Sequence, residues 1–197
     1  MKKFLAVFIS LFVFTSTTYA ANTVVVMKTS MGEIAIELFD GRSPVTVKNF
    51  LRYVDEGFYN GTIFHRVIGN FMVQGGGMAA GLQQKRTNAP IANEAANRIP
   101  NARGTLAMAR TMDPHSATAQ FFINVVDNPF LNFREAGDRG YGYCVFGRVI
   151  AGMEVVDKIR AVKTTSIGPY NDVPVKDIVI LSIGRKEKGP AEARRIE

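Results

Sequence analysis

The sequence predicts a mainly antiparallel β-barrel carrying two α-helices. Two observations carry that expectation. Short strand-like runs recur along the chain, bounded by glycine, proline and asparagine turns, while only two stretches show helical apolar spacing. Those two stretches do not alternate with the strands, which argues against a parallel α/β sheet. Closing an antiparallel sheet on itself removes its exposed edges, so a barrel is favoured over an open sheet.

The elements follow in order. Residues 23–29 read as a strand, Ser30-Met31-Gly32 as a turn, and residues 33–38 (Glu-Ile-Ala-Ile-Glu-Leu) as a half-buried strand, together an opening hairpin. Ser43-Pro44 predicts a helix start, with the Ser43 hydroxyl at the N-cap and proline at N1. Val47, Phe50, Leu51, Val54 and Phe58 follow at helical spacing, with Gly57 as the stop. Strands are predicted over 63–68 and 71–74, the second ended by Gly75-Gly76-Gly77. Residues 78–103, with Pro90 and Pro100, read as a long loop of a kind that often carries function. Strands resume over 104–109, 121–126 and 143–150, a second helix covers 152–162, and the last strand covers 175–183. The tail 185–197 is charged and lacks apolar periodicity, so it is expected to be flexible.

Composition narrows the function classes. The chain has 197 residues, 47% of them hydrophobic and 21% charged, enough for one ordinary domain with its own core. Two histidines and one cysteine are too few for a zinc finger or an iron–sulfur site, and no metal or cofactor is expected. Cys144 lies in an apolar run without a basic neighbour and reads as a small buried hydrophobe.

The formal charge of +7 invites a nucleic-acid reading, but two of those charges sit in an N-terminal leader. Lys2 and Lys3 precede an apolar run from Phe4 to Phe14, and Thr18 and Ala20 stand at −3 and −1 of a small-residue cleavage site. Residues 1–20 are therefore expected to be a cleaved signal peptide, and the mature protein periplasmic. The apolar run is too short for a comfortable membrane span, so no stable membrane association is expected. Without Lys2 and Lys3 the charge falls to +5, and no block of five like charges occurs, so nucleic acid is not an expected partner.

Several motifs are weak. Gly75-Gly76-Gly77-Met78-Ala79-Ala80 fits a loose dinucleotide pattern, with Glu94 near the expected acidic position, but no βαβ unit surrounds it. Asp113, His115 and Ser116 are neighbours in one turn and do not make a triad, which is assembled from separate elements. His65 follows Phe64 in a strand and reads as a structural hydrogen-bonding residue.

The informative stretch runs from Phe64 to Gly76. Alternation places Phe64, Arg66 and Ile68 on one face of their strand, and Met72 and Gln74 on one face of the next. An arginine among apolar side chains is costly unless it is paired or presented to a ligand. Spacing alone leaves a ligand pocket and an ordinary surface arginine equally open.

That stretch, with Arg103–Ala109, Ser116–Ile123 and Val145–Val149, resembles the cyclophilin family of peptidyl-prolyl cis–trans isomerases, in order and in spacing. The resemblance covers about residues 23–184. The signal peptide and the connection from Asn124 to Gly142 are similar to those of the periplasmic cyclophilins of Gram-negative bacteria. The resemblance implies a closed eight-stranded antiparallel barrel with a helix over each end, and an isomerase domain spanning 21–184. It implies that Arg66 is catalytic and that Phe71, Met72, Phe122 and Leu131 form a proline pocket. It further implies that Gln74 places the arginine, that Ala109 and the backbone of Arg110 line the groove, and that Gln120 stands near its wall. Phe130 replaces a tryptophan, Tyr143 a histidine and Gly69-Asn70 a Pro-Gly of the better-known eukaryotic members. The implied partners are proline-containing unfolded or exposed polypeptide segments, bound by a monomer, with only weak cyclosporin binding. The alternative from another class is a proline-peptide binding module or holdase with incidental isomerase activity.

Overall fold

A computed structural model describes residues 22–137 and 140–186. The expected leader 1–20, and the tail beyond Lys186, lie outside the described residues. Strand β1 (Val24–Thr29) and strand β2 (Gly32–Leu38) form the opening hairpin, paired from Val24–Glu37 to Thr29–Gly32. Their alternation sends Val25, Met27, Ile34, Ile36 and Leu38 into the interior, where all are fully buried.

Helix α1 (Pro44–Asp55) begins at the predicted Ser-Pro, but Ser43 does not cap it. The Ser43 hydroxyl instead donates to the Val145 carbonyl at 2.8 Å, inside the protein. The Glu94 carboxylate takes over, accepting from the Val45 and Thr46 amides at 3.1 and 2.8 Å and from the Thr46 hydroxyl at 2.7 Å. A negative charge on the free amides of a helix start is favourable twice, as acceptor and against the helix dipole. This contact ties the long connection through residues 80–103 to the barrel. Cys144 is buried beside Thr46, and burial pushes its thiol pKa up, as suits an inert apolar residue.

Strands β3 (Thr62–Ile68) and β4 (Met72–Ala79) are the centre of the molecule. Two-residue β5 (Gln83–Gln84) extends β4. Then come β6 (Thr105–Met108), β7 (Phe121–Asn124), β8 (Val145–Ala151) and helix α2 (Met153–Arg160). A small hairpin, β9 (Thr164–Ile167) with β10 (Tyr170–Pro174), precedes the last strand, β11 (Val179–Arg185). The order β3-β11-β1-β2-β8-β6-β7-β4 closes back onto β3, giving an eight-stranded antiparallel barrel. Both helices bury their apolar faces in the same interior cluster: Val47, Phe50, Leu51 and Val54 from α1, and Val155, Val156 and Ile159 from α2.

Three local expectations are corrected. The triple glycine does not end β4, which runs on to Ala79. The β9–β10 hairpin was not anticipated, and the last strand starts at Val179 rather than 175. Phe64 and Arg66 do not share a face. Phe64 pairs with Gly75 and Arg66 with Gln74, so two steps on β3 meet one on β4. This bulge makes His65 the extra residue and reverses the parity. Phe64 packs inside, edge-on to Phe121 at 6.2 Å, and Arg66 points out.

The glycines accommodate a second register break, between Thr62 and Phe64. Gly76 has φ +79°, and a Cβ there would lie 2.6 Å from Phe121 and 2.9 Å from Tyr59. A Cβ on Gly77 would overlap the Gln120 side chain. Gly76→Ala therefore meets left-handed strain and overpacking together. We expect a loss of about 3 kcal/mol, read as a lowered midpoint in urea.

His65 is 5% exposed, and among the described residues its Nδ1 has no hydrogen-bond partner. Burial lowers its pKa to about 4, against a weaker pull upward from a hydrogen bond to the Ile63 backbone. The unfolded chain binds this proton below about pH 6.5, the folded chain only below about 4. Stability is then fully present above pH 6.5 and declines as pH falls towards 4, by at most about 3 kcal/mol. The carboxylates of Glu37, Asp55 and Asp157, whose pKa values hydrogen bonds from neighbouring side chains lower, lose their contribution only at lower pH. Denaturation at pH 7 and pH 5 should show the decline in the parent and a shallower slope in His65→Gln.

Candidate active site

The outer face of β3, β4, β7 and β6 carries a row of four residues in register: Arg66, Gln74, Phe122 and Ala107. Neighbouring strands are about 4.8 Å apart, so Arg66 and Phe122 stand roughly 10 Å apart at the backbone, within reach of an arginine side chain. The next outward row is Ile68, Met72 and Asn124. The residues between the rows, Val67, Val73 and Ile123, point inward and belong to the barrel interior. Strand periodicity thus builds a surface of different chemistry on each side of one wall.

The apolar half of this surface is a cluster separate from the interior. Met72, Ala107, Phe122, Leu131 and Val145 are its buried members, and Phe71, Ala109 and Tyr143 are half-buried around them. Phe122 meets the Tyr143 ring edge-on at 5.7 Å. Phe130 is 64% exposed and stacks on Phe71 at 5.5 Å, so it stands on the rim. Arg110 lies with its guanidinium 4.6 Å from the Tyr143 ring centre. Its Nε donates to the Gly142 carbonyl at 3.0 Å and Nη1 to the Thr111 carbonyl at 2.8 Å, so the side chain braces two loops.

The polar half is a cleft of about 430 Å³ lined by His65, Arg66, Gln74, Met78, Gln120 and residues 169–172 of the β9–β10 hairpin. Gln74 Nε2 donates to Gln120 Oε1 at 2.9 Å, which fixes both amides beside the arginine. Arg66 Nε lies 3.7 Å from Asp172 Oδ2. A larger groove of about 850 Å³ runs along α1, where Val45, Val47, Leu51 and Ile91 alternate with Lys48, Arg52 and Asp55, and none of the sequence-predicted site residues lines it.

All of the sequence-predicted residues therefore fall on one continuous surface: Arg66, Gln74 and Gln120 in the cleft, Phe71, Met72, Ala109, Phe122, Leu131 and Tyr143 in the apolar patch, and Arg110 and Phe130 at its margins. Sequence reasoning missed Asp172 and a buried asparagine set. Asn128 Nδ2 donates to the Asn124 side-chain oxygen at 2.7 Å and to the Phe71 carbonyl at 3.0 Å. Asn124 Nδ2 donates to Thr105 Oγ1 at 2.9 Å, and Asn101 Nδ2 to the Leu131 carbonyl at 3.2 Å. These amides hold the backbones that carry Phe71 and Leu131. The Asn128-Pro129 dipeptide was the available signal for the turn.

Among the described residues no cluster of His, Cys, Asp or Glu could hold a metal ion. What the surface offers is the Arg66 guanidinium, two paired amides and an apolar patch. Such a site can hold a chain and donate hydrogen bonds to it.

Residues 24–185 match the family of cyclophilin type peptidyl-prolyl cis-trans isomerases. The chain is 60% identical over 159 residues to peptidyl-prolyl cis-trans isomerase B of Escherichia coli K12, covering 81% of this chain and 97% of that one. It is 55% identical over 172 residues to a peptidyl-prolyl cis-trans isomerase of Acinetobacter baylyi, covering 87% and 90%. The crystal structure of a Cryptosporidium parvum cyclophilin type isomerase superposes with a TM-score of 0.70 at 27% identity, over 85% of this chain and 99% of that one. The same protein has been crystallised in the presence of the dipeptide Ala-Pro. With the barrel, the outward arginine and the apolar patch all in place, this chain belongs to the cyclophilin-type peptidyl-prolyl cis–trans isomerases.

Proposed function

We propose that the isomerase acts on X–Pro bonds of exported proteins while they fold, with Arg66 as its catalytic group. Rotation about a peptide C–N bond opposes amide resonance, with a barrier near 18–20 kcal/mol. X–Pro bonds populate both isomers and exchange in roughly tens of seconds or longer, slow enough to limit folding. No bond is broken, so the site has only to favour the twisted amide over both planar forms.

The observation that carries the reading is the single row joining Arg66 to Phe122 through Gln74. As the amide twists, the prolyl nitrogen loses resonance and gains a lone pair. An arginine terminal N–H group aimed across Gln74 donates to that lone pair while the proline ring sits among Phe71, Met72, Phe122 and Leu131. A guanidinium keeps its charge at any working pH. An apolar floor strengthens the hydrogen bond by excluding water. Tenfold acceleration needs about 1.4 kcal/mol of preference for the twisted form, which one well-aimed charged donor supplies. The backbone at Ala109 and Arg110 and the Gln120 wall hold the chain beyond the proline. A bare proline-peptide binder or holdase is not favoured, because such a protein needs the recess but not the arginine.

The N-terminal pattern of Lys2-Lys3, an apolar run and Ala20 supports export with cleavage after Ala20, and a periplasmic site of action. Among the described residues no helix is long and apolar enough to cross a membrane. The substrate partners are exposed proline-containing segments, and the acting unit is a monomer. Phe130 supports weak cyclosporin binding, since phenylalanine at this rim lacks the indole N–H that tryptophan would offer.

Three measurements test this reading. Arg66→Ala should keep its melting temperature and lower kcat/KM on an Ala-Pro peptide by about tenfold or more. Unchanged isomerisation would remove Arg66 from the mechanism. Cyclosporin should bind about 10- to 1,000-fold more weakly than to a tryptophan-bearing relative, and Phe130→Trp should recover part of that with little change in kcat/KM. Nanomolar inhibition of the parent protein would contradict the assignment of Phe130. Mass spectrometry of exported protein should find an N-terminus at Ala21, and an intact Met1 would contradict cleavage.

A further inference from the structure

We propose that Asp172 is a positioning residue for Arg66, holding its Nε edge so that the two terminal nitrogens face the proline recess. This rests on the reading of Arg66 as the catalytic donor. Arg66 stands between two supports. On one side is Gln74, its register partner, locked to Gln120. On the other is the β9–β10 hairpin, which packs against β3 and presents Asp172 Oδ2 at 3.7 Å from Arg66 Nε. Both side chains are partly exposed, at 43% and 39%, so the pair contributes little to global stability. Its consequence is geometric. An arginine has four rotatable torsions and loses rotamer freedom when ordered. A carboxylate anchored to the barrel accepts that ordering before substrate arrives.

The hairpin is built to deliver this one side chain. Its pairing is regular at Tyr170–Ile167 and at Val173–Thr165, but the register breaks between Tyr170 and Val173, where Asn171 and Asp172 stand. Asp172 has φ +60°, a left-handed conformation that is uncommon outside glycine. Asn171 Oδ1 accepts from Ser166 Oγ at 2.8 Å, which pins the irregular turn, while Val173 and Pro174 are buried below it. A bulge with a left-handed residue re-aims a side chain at a cost, and here the re-aimed side chain is the carboxylate beside the arginine. The Asp172 contact is on Nε, which leaves the two terminal nitrogens as the donors for a substrate.

The test is a double-mutant cycle on the full chain, with an Ala-Pro peptide as the probe and NMR exchange separating kcat from KM. Asp172→Asn removes the charge and keeps a residue that tolerates positive φ; Asp172→Gly does the same without a side chain. We expect either variant to lower kcat at least threefold, to leave KM within twofold, and to broaden or shift the Arg66 Nε–Hε resonance of the free protein. In the Arg66→Ala background the same substitutions should change nothing. Equal losses in both backgrounds would show that Asp172 acts on its own and overturn the proposal. A loss in Arg66→Ala with none in either Asp172 variant would overturn the pairing alone. No loss in any variant would overturn the role of Arg66 and the pairing with it.

Discussion

A barrel wall is one residue thick, and strand geometry sends successive side chains to opposite sides of it. On β3 this rule conflicts with what the site requires. Phe64 fills the interior and Arg66, two residues on, faces outward. An unbroken strand would place both on one side, either stranding a phenylalanine in water or burying a guanidinium. The bulge at His65 removes the conflict by inserting one residue. Its costs are visible nearby. His65 is buried with an unpartnered nitrogen, and three consecutive glycines are needed opposite, where the widened strand passes under Phe121, Tyr59 and Gln120.

This irregularity marks the boundary of what could be read from residues alone. The opening hairpin, both helices and the shared face of Met72 and Gln74 follow from periodicity, and each forms as its pattern requires. Period-two reasoning fails at Phe64 and Arg66 because a bulge leaves no mark in the alternation itself. The glycine triplet by itself points to a strand end, and only the pairing with β3 shows that it widens the strand instead. Glu94 could not be found as a cap, because it reaches α1 from 48 residues away while the nearer hydroxyl turns inward. Asp172 sits in a short polar hairpin beside Gly168-Pro169, where composition signals only a loop. Phe71 and Leu131 were placed by family resemblance, which carries contacts that local pattern does not.

The site also depends on polar groups that never touch its surface. An apolar surface patch needs backbone that is satisfied from beneath, because an unpaired carbonyl would draw water to it. Asn101, Asn124 and Asn128 meet this need, and each is almost completely buried. The Asn128 and Asn101 amides add a second donor to the Phe71 and Leu131 carbonyls, which also accept from the Val125 and Tyr143 backbone amides. The arginine likewise has a paired set of amides on one flank and a carboxylate on the other.

The ring order has a kinetic meaning. Strand β11 lies between β1 and β3, so on that side of the ring the hairpin at the start of the barrel and the arginine-bearing strand are joined through the last of the described strands. Chains grow at about 5–20 residues per second, so β1 and β3 remain open edges for many seconds after leaving the ribosome. Contacts this distant in sequence also close slowly. A polypeptide whose barrel closes through so late a strand keeps two unpaired edges for that interval, and its closure waits on the C-terminal part of the fold.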